Sequence, residues 1–246
     1  MRLRFIRSAL VLAFLAARLV GQGVRPNLDA ERLQTGLFRY KTLVDGKAAG
    51  ESEIRIGKSE SGDFVFTNLV EGAFSQSWEA VASRAFEPIS AKLTMGRGKD
   101  ARTVFDLAYH GPRVTGFAIS GKGQEPRVRR VIDDSVAADT VDQRIDWAAV
   151  MAAEDYVPGG EFRFHVYDPG TGHSPVSARV LGRETTTVPA GSFETVRVEY
   201  RIEKNRGTET YEVLVKGELP RMLVKERFPN GAVTELISFL AAPAKP

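Results

Sequence analysis

Apolar and polar side chains alternate along most of this 246-residue chain from Gly36 onwards. A period of two residues is typical of β-strands that bury one face. Turn signals such as Asp45-Gly46 and Pro229-Asn230-Gly231 separate the alternating runs. Because many short strands joined by turns indicate an all-β protein, the pattern predicts a mostly β fold: a single antiparallel β-barrel-like or curved-sheet domain.

One mid-chain segment departs from this alternation. Apolar residues recur at helical spacing between Val141 and Ala152, and Thr140-x-x-Gln143 has the pattern of a capping box. A Pro-Gly-Gly turn follows the segment. The spacing predicts one short helix inserted mid-chain, over roughly residues 141–153, packed on or across the β structure.

Residues 1–23 have the composition of a secretory signal peptide. Basic residues precede the apolar run Ala9–Ala17, and Arg18 interrupts that run well before the roughly 20 apolar residues that a membrane span needs. An uncleaved membrane anchor is the alternative, since Gly21-Gln22-Gly23 is an unusual cleavage frame. The rest of the chain is expected to divide into a polar lead-in (24–35), a β domain (36–240) and a short disordered tail (241–246).

The charge balance changes once the signal is set aside. The chain has 34 Lys and Arg residues against 31 Asp and Glu residues, and four arginines lie in residues 1–23, which leaves 34 − 4 = 30 basic residues. Proteins that bind nucleic acid carry a clustered basic face. The remaining, nearly neutral chain has none, so we expect no nucleic-acid partner.

The chain contains no cysteine. This excludes disulfides, zinc–thiolate sites, thiol catalysis and a lipid anchor on an N-terminal cysteine. Together with the export signal, it favours a released protein of a bacterial envelope compartment, with no transmembrane helix after signal cleavage.

The second half carries the most recognisable sequence pattern. Val188-Pro-Ala-Gly-Ser-Phe-Glu-Thr195 leads into an alternating strand, and Pro229-Asn230-Gly231 follows later. With the opening Phe38-x-Tyr40 strand and the mid-chain helix, the chain resembles, over about residues 36–239, a bacterial exported family labelled domain of unknown function 3108. The resemblance implies a β-barrel-like fold and a Gram-negative envelope, hence a periplasmic location. It implies no activity and no catalytic residues.

Side chains that could carry chemistry are few. No nucleophile elbow or phosphate loop is present. His165, Asp168 and His173 lie near two strand ends and could meet as a metal or acid–base cluster. Ordinary surface and loop positions explain them better, because zinc sites usually show closer-spaced ligands. We therefore predict no catalytic residue, no metal and no cofactor.

Aromatic residues are more informative. Tyr40, Phe66, Trp78 and Phe105 each occupy the apolar phase of a strand, and Gln76 shares that phase beside Trp78. In a barrel, such residues pack the core or line a ligand cavity. A polar Gln76 among them needs a hydrogen-bond partner, which an enclosed ligand or water could supply. These five residues are the candidate ligand-binding positions.

The sequence thus favours a non-enzymatic envelope protein that binds an apolar or amphipathic ligand, a lipid or glycolipid, inside a β-barrel. One alternative is a structural protein that interacts with an envelope protein. Another is a hydrolase of cell-wall or polysaccharide substrates that uses His165 or Asp168. A β-barrel fold alone distinguishes none of these functions.

Overall fold

The structure is a computed structural model that describes residues 27–72, 75–120, 127–154, 156–205 and 207–242. The predicted signal peptide (1–23), the first residues of the predicted lead-in (24–26) and residues 243–246 of the predicted tail lie outside the described residues. Within the described ranges the chain forms strands, one short α-helix and three 3-10 turns.

The first half supplies eight strands: β1 (Gly36–Val44), β2 (Lys47–Lys58), β3 (Phe64–Gly72), β4 (Gln76–Ala82), β5 (Pro88–Met95), β6 (Arg102–His110), β7 (Arg113–Ser120) and β8 (Val128–Ser135). The second half supplies the helix α1 (Asp146–Ala152) and seven strands: β9 (Thr140–Asp142), β10 (Glu161–Asp168), β11 (Gly172–Val188), β12 (Gly191–Lys204), β13 (Gly207–Lys216), β14 (Leu223–Arg227) and β15 (Val233–Ala241).

These strands form one sheet, in the order β8-β7-β6-β5-β4-β3-β2-β1-β15-β14-β13-β12-β11-β10-β9. The two halves join where β1 pairs with β15, for example Phe38 opposite Phe239. The mostly β, curved-sheet prediction is confirmed. Within the described residues the sheet is not closed into a barrel. One detail differs from the antiparallel prediction: β9 pairs with β10 in parallel.

The sheet curls so that its two ends approach each other. β9 lies within 8 Å of β5, measured between Cα atoms. Tyr109 on β6 donates a hydrogen bond to Asp142 on β9 at 2.6 Å, and Tyr167 on β10 donates one to Asp134 on β8 at 2.6 Å. We call these four side chains the seam. Side-chain contacts, rather than a backbone ladder, therefore hold the two ends of the sheet together.

The predicted helix begins later than its sequence pattern indicates. Val141 is a strand residue that pairs with Val166, and a 3-10 turn over Gln143–Ile145 precedes α1. Asp142, not Thr140, caps this turn by accepting a hydrogen bond from the Arg144 amide at 2.9 Å. Tertiary pairing with β10 thus overrides the helical spacing in the first part of the segment. All seven residues of α1 are buried, so the helix lies inside the curve of the sheet.

The predicted polar lead-in is anchored to the core. Leu28, Ala30 and Leu33 are buried, and Leu33 forms a backbone bridge with Arg221. Arg221 in turn donates hydrogen bonds to the carbonyls of Met151 and Ala153 at 2.7 and 2.5 Å, just at the end of α1. Three spaced apolar residues are too short a pattern to reveal a buried segment from sequence.

Candidate functional site

A cavity of about 550 Å³ lies between the two halves of the curled sheet. Its wall combines residues of β1 to β6 with residues of β10 and β12 to β15, the turn that precedes α1 and the first two residues of α1. We call it the central cavity. Its volume lies within the range of about 300–1,000 Å³ that is usual for small-molecule sites.

The structure brings three of the five candidate binding residues together. Gln76, Trp78 and Phe105 line the central cavity. Tyr40 and Phe66 do not: Tyr40 is buried and donates a hydrogen bond to the Leu223 carbonyl at 3.0 Å, and Phe66 packs among other rings in the core. Alternation predicts which face of the sheet a side chain lies on but not whether it packs in the core or lines a cavity, and the side chains of Tyr40 and Phe66 are packed in the core.

Aromatic rings from both halves form much of the wall. Tyr200 and Tyr211 stack with their ring centroids 4.9 Å apart, and Phe228 meets Tyr211 edge to face at 6.0 Å. Both tryptophans of the chain, Trp78 and Trp147, line the cavity. Of the six aromatic residues that line the cavity, Trp78 and Phe105 were predicted from the sequence. The other four were missed: Trp147, Tyr200, Tyr211 and Phe228.

Two buried carboxyl groups also line the cavity. Asp146 is 6 % exposed and accepts a hydrogen bond from the Trp147 amide at 2.6 Å. Glu226 is 7 % exposed and accepts one from the Tyr200 hydroxyl at 3.3 Å. Among the described residues, neither carboxyl forms an ion pair within 4 Å.

Burial sets the protonation of these carboxyls. Loss of hydration disfavours the charged form and raises the pKa of Asp146 to about 7. The same effect, reinforced by the charge of Asp146, raises the pKa of Glu226 to about 8. Both groups therefore change charge near neutral pH. The sequence held one signal for Glu226, which continues the apolar alternation of Met222 and Val224; nothing marked Asp146.

Arg144 is the basic residue of the cavity wall, and its charge is already paired. Its guanidinium donates to both oxygens of Asp142, to the Asp168 carboxylate at 2.6 Å and to the Tyr167 carbonyl at 3.1 Å. The same group lies 4.6 Å from the ring centroid of Phe105. Because two carboxylates already surround it, Arg144 offers little positive charge to a ligand.

One fully buried polar atom of the wall has no hydrogen-bond partner among the described residues. This atom is Oδ1 of Asn68, which lies on β3 opposite the candidate residue Trp78 on β4. A buried acceptor without a partner costs about 1–3 kcal/mol. A hydrogen-bond donor on a bound molecule would remove that cost.

The histidine cluster considered from the sequence forms only in part. The rings of His165 and His173 stack at 4.4 Å, and His165 Nδ1 lies 2.7 Å from Asp139. Burial, followed by the nearby His165, lowers the pKa of His173. Asp168 points to Arg144 instead. Within the described ranges, no group of three or more His, Asp or Glu side chains could hold a metal ion.

No helix in the described part of the chain has the length and apolar character needed to cross a membrane. The family described as "Protein of unknown function (DUF3108)" matches residues 39–237. No curated protein matches the chain.

Solved structures with a similar course of the chain include three bacterial proteins. A β-barrel-like protein of the domain of unknown function DUF1849 from Brucella abortus has a TM-score of 0.49 at 9 % identity, covering 87 % of this chain and 100 % of its own. A candidate exported protein with a YmcC-like fold from Bacteroides fragilis has a TM-score of 0.39 at 13 % identity, covering 87 % and 99 %. A candidate lipoprotein from Parabacteroides distasonis has a TM-score of 0.35 at 12 % identity, with the same coverage.

Proposed function

The chain belongs to the DUF3108 family of proteins of unknown function, and we propose that it is an exported envelope protein that binds an amphipathic molecule, a lipid or glycolipid, in its central cavity. The observation that carries this proposal is the cavity itself, with its volume of about 550 Å³ between the two halves of the sheet. A fold stabilised only by packing has no need of such a space, because protein interiors are close-packed.

The composition of the wall supports an amphipathic ligand rather than a purely polar one. Six aromatic rings and side chains such as Ile54, Val70 and Leu93 offer apolar contact. Asn68, Gln76 and the carboxyl groups of Asp146 and Glu226 offer polar contact in the same space. Ligand sites typically combine apolar walls with a few placed polar groups.

The proposed location is the periplasm, and it rests on the sequence. Residues 1–23 carry the basic segment and the apolar run of a signal peptide, and the chain contains no cysteine for lipid attachment. A periplasmic protein with such a cavity would meet amphipathic molecules in transit between the two membranes.

The alternative function, a structural protein that interacts with another envelope protein, has one observation in its favour. Val128 and Val131 lie on the edge strand β8, and Val131 is 78 % exposed. An edge strand with exposed apolar residues can pair with another chain. The hydrolase alternative gains no such support, since Asp168 bonds to Arg144 and His165 to Asp139.

The proposal is tested by purifying the protein from the envelope of cells that produce it naturally and analysing the co-extracted molecules by mass spectrometry. Val70→Phe places a larger side chain into the cavity, whereas Val65→Phe makes the same change on the same strand but on the opposite face. We expect a defined lipid or glycolipid with the wild type and with Val65→Phe, and its loss with Val70→Phe. The proposal would be overturned if the wild-type protein carried no ligand, or if the Val70→Phe variant still carried the ligand found with the wild type.

A further inference from the structure

The lining of the central cavity has more acidic than basic residues. Its lining contains three acidic residues, Asp146, Asp168 and Glu226, and one basic residue, Arg144. Arg144 and Asp168 bond to each other, and Arg144 also bonds to Asp142 behind the wall. Among the described residues, Asp146 and Glu226 form no ion pair within 4 Å, although the more distant charges of Arg144 and Lys204 act on Asp146.

Burial of these two carboxyl groups in their charged form is energetically unfavourable. Each is more than nine-tenths buried, and each accepts one hydrogen bond, from the Trp147 amide and from the Tyr200 hydroxyl respectively. Buried carboxylates are normally paired with a cation or held by several donors. The space beside them is the cavity, so a ligand there can supply the direct counter-charge that no described side chain provides within 4 Å.

The rings around the carboxyls suit a particular kind of cation. Tyr200 bonds to Glu226, Trp147 follows Asp146 in the chain, and Tyr211 stacks on Tyr200. The faces of Trp and Tyr rings attract cations, and cages of such rings recognise quaternary ammonium groups. A compact metal ion fits less well, because no suitable group of three ligands exists among the described residues.

We infer that the central cavity takes an amphipathic molecule with an ammonium headgroup, for which Asp146 and Glu226 are the counter-charges and the surrounding rings the walls. This inference rests on the proposed function and narrows it from amphipathic ligands in general to cationic ones. An anionic headgroup would meet two buried acids instead, with Arg144 already occupied.

The binding of such a headgroup depends on pH. The charged groups that act on Asp146 are Arg144, Asp142 and Lys204, and the one that acts on Glu226 is Asp146. The neutral tyrosine hydroxyls of Tyr200 and Tyr211 face both carboxyls, and that of Tyr40 faces Glu226. Both carboxyls are protonated at low pH and ionise near neutrality. A permanently charged ligand is therefore bound more tightly as the pH rises from 6 to 8.5, because each carboxylate that forms adds a favourable charge interaction.

The test compares three probes with the same decyl chain: decyltrimethylammonium, the neutral 1-decanol and decyl sulfate. Binding to the full chain is followed by tryptophan fluorescence, since both tryptophans line the cavity, and by calorimetry. Two variants are compared with the wild type. The Asn/Gln variant carries both Asp146→Asn and Glu226→Gln, and the control carries Glu79→Gln on the exposed face of β4. Circular dichroism establishes that each variant is folded.

We expect the wild type and Glu79→Gln at pH 8.5 to bind decyltrimethylammonium at least about tenfold more tightly than decyl sulfate, a difference of about 1.4 kcal/mol. The Asn/Gln variant should lose this preference and its pH dependence but keep its affinity for 1-decanol. Equal binding of the two charged probes, or an unchanged preference in the variant, would overturn the ammonium inference alone. Failure of all three probes to bind would instead contradict the proposed function.

Discussion

The hydroxyl of Tyr200 donates a hydrogen bond of 3.3 Å to Oε1 of Glu226, and both side chains line the central cavity. The Tyr200 ring also stacks on Tyr211. One tyrosine thus links a buried acid to the aromatic wall. This contact lowers the pKa of Glu226, although burial and the charge of Asp146 raise it by more.

Tyr200→Phe is expected to keep the ring and remove the hydrogen bond. The free energy of unfolding should fall by about 1–2 kcal/mol, since a buried acceptor loses its donor, and the pKa of Glu226 should rise further. Chemical denaturation and NMR titration of the Glu226 carboxyl measure the two effects. Tyr211→Phe is the matched control, because its hydroxyl donates to Glu209, outside the lining of the cavity. An unchanged Glu226 pKa in Tyr200→Phe would show that this bond does not act on the carboxyl.

The stability of the protein should decrease as the pH rises above 6.5. The folded protein holds protons on Asp146 and Glu226, with pKa values of about 7 and 8, that the unfolded chain has already released. The free energy of unfolding therefore falls as the pH rises through this window, by up to about 1.4 kcal/mol per pH unit for each proton. The lowered pKa of His173 makes the free energy of unfolding rise with pH instead, but only below about pH 6.5, where the imidazole of the unfolded chain is protonated.

Denaturant unfolding between pH 6.5 and 8.5 measures this slope. Asp146→Asn with Glu226→Gln should flatten it, because neither amide titrates, whereas Glu79→Gln should leave it unchanged. The same slope in the Asn/Gln variant as in the wild type would show that other groups cause the pH dependence.

The seam should determine how readily the ends of the sheet separate. Tyr167→Phe removes the 2.6 Å hydrogen bond from β10 to Asp134 on the edge strand β8. Tyr156→Phe is the control, since it removes an equally short bond, to the Val150 carbonyl, away from the seam. Amide hydrogen exchange in β8 should be faster in Tyr167→Phe than in Tyr156→Phe. Equal exchange in the two variants would mean that the seam does not hold the edge strand.

The alternation of apolar residues was sufficient to predict the sheet, because each strand buries one face. It could not reveal that the edges β8 and β9 stay unpaired with each other, since closure depends on the curvature of the whole sheet. The start of the helix was wrong for a related reason. Val141 fits both a helical and an extended pattern, and its pairing with Val166, which is distant in sequence, decides between them.

The candidate site was predictable only along the strands that alternate clearly. Trp78 and Phe105 stood out as apolar-phase aromatics, whereas Tyr40 shares their phase and lies in the packed core. The two buried acids were harder to find. A charged residue is normally expected to be exposed, and only the position of Glu226 in the apolar alternation of Met222 and Val224 signals the contrary.

Quenching of tryptophan fluorescence by 10-bromodecan-1-ol reports directly whether a ligand enters the central cavity, because bromine quenches at short range and both tryptophans line the cavity. We expect saturable quenching in the wild type and in Val65→Phe, and its loss in Val70→Phe, where the added ring occupies the cavity. Quenching that is absent from the wild type, or equal in the two Phe variants, would contradict the claim that the central cavity is a ligand-binding site.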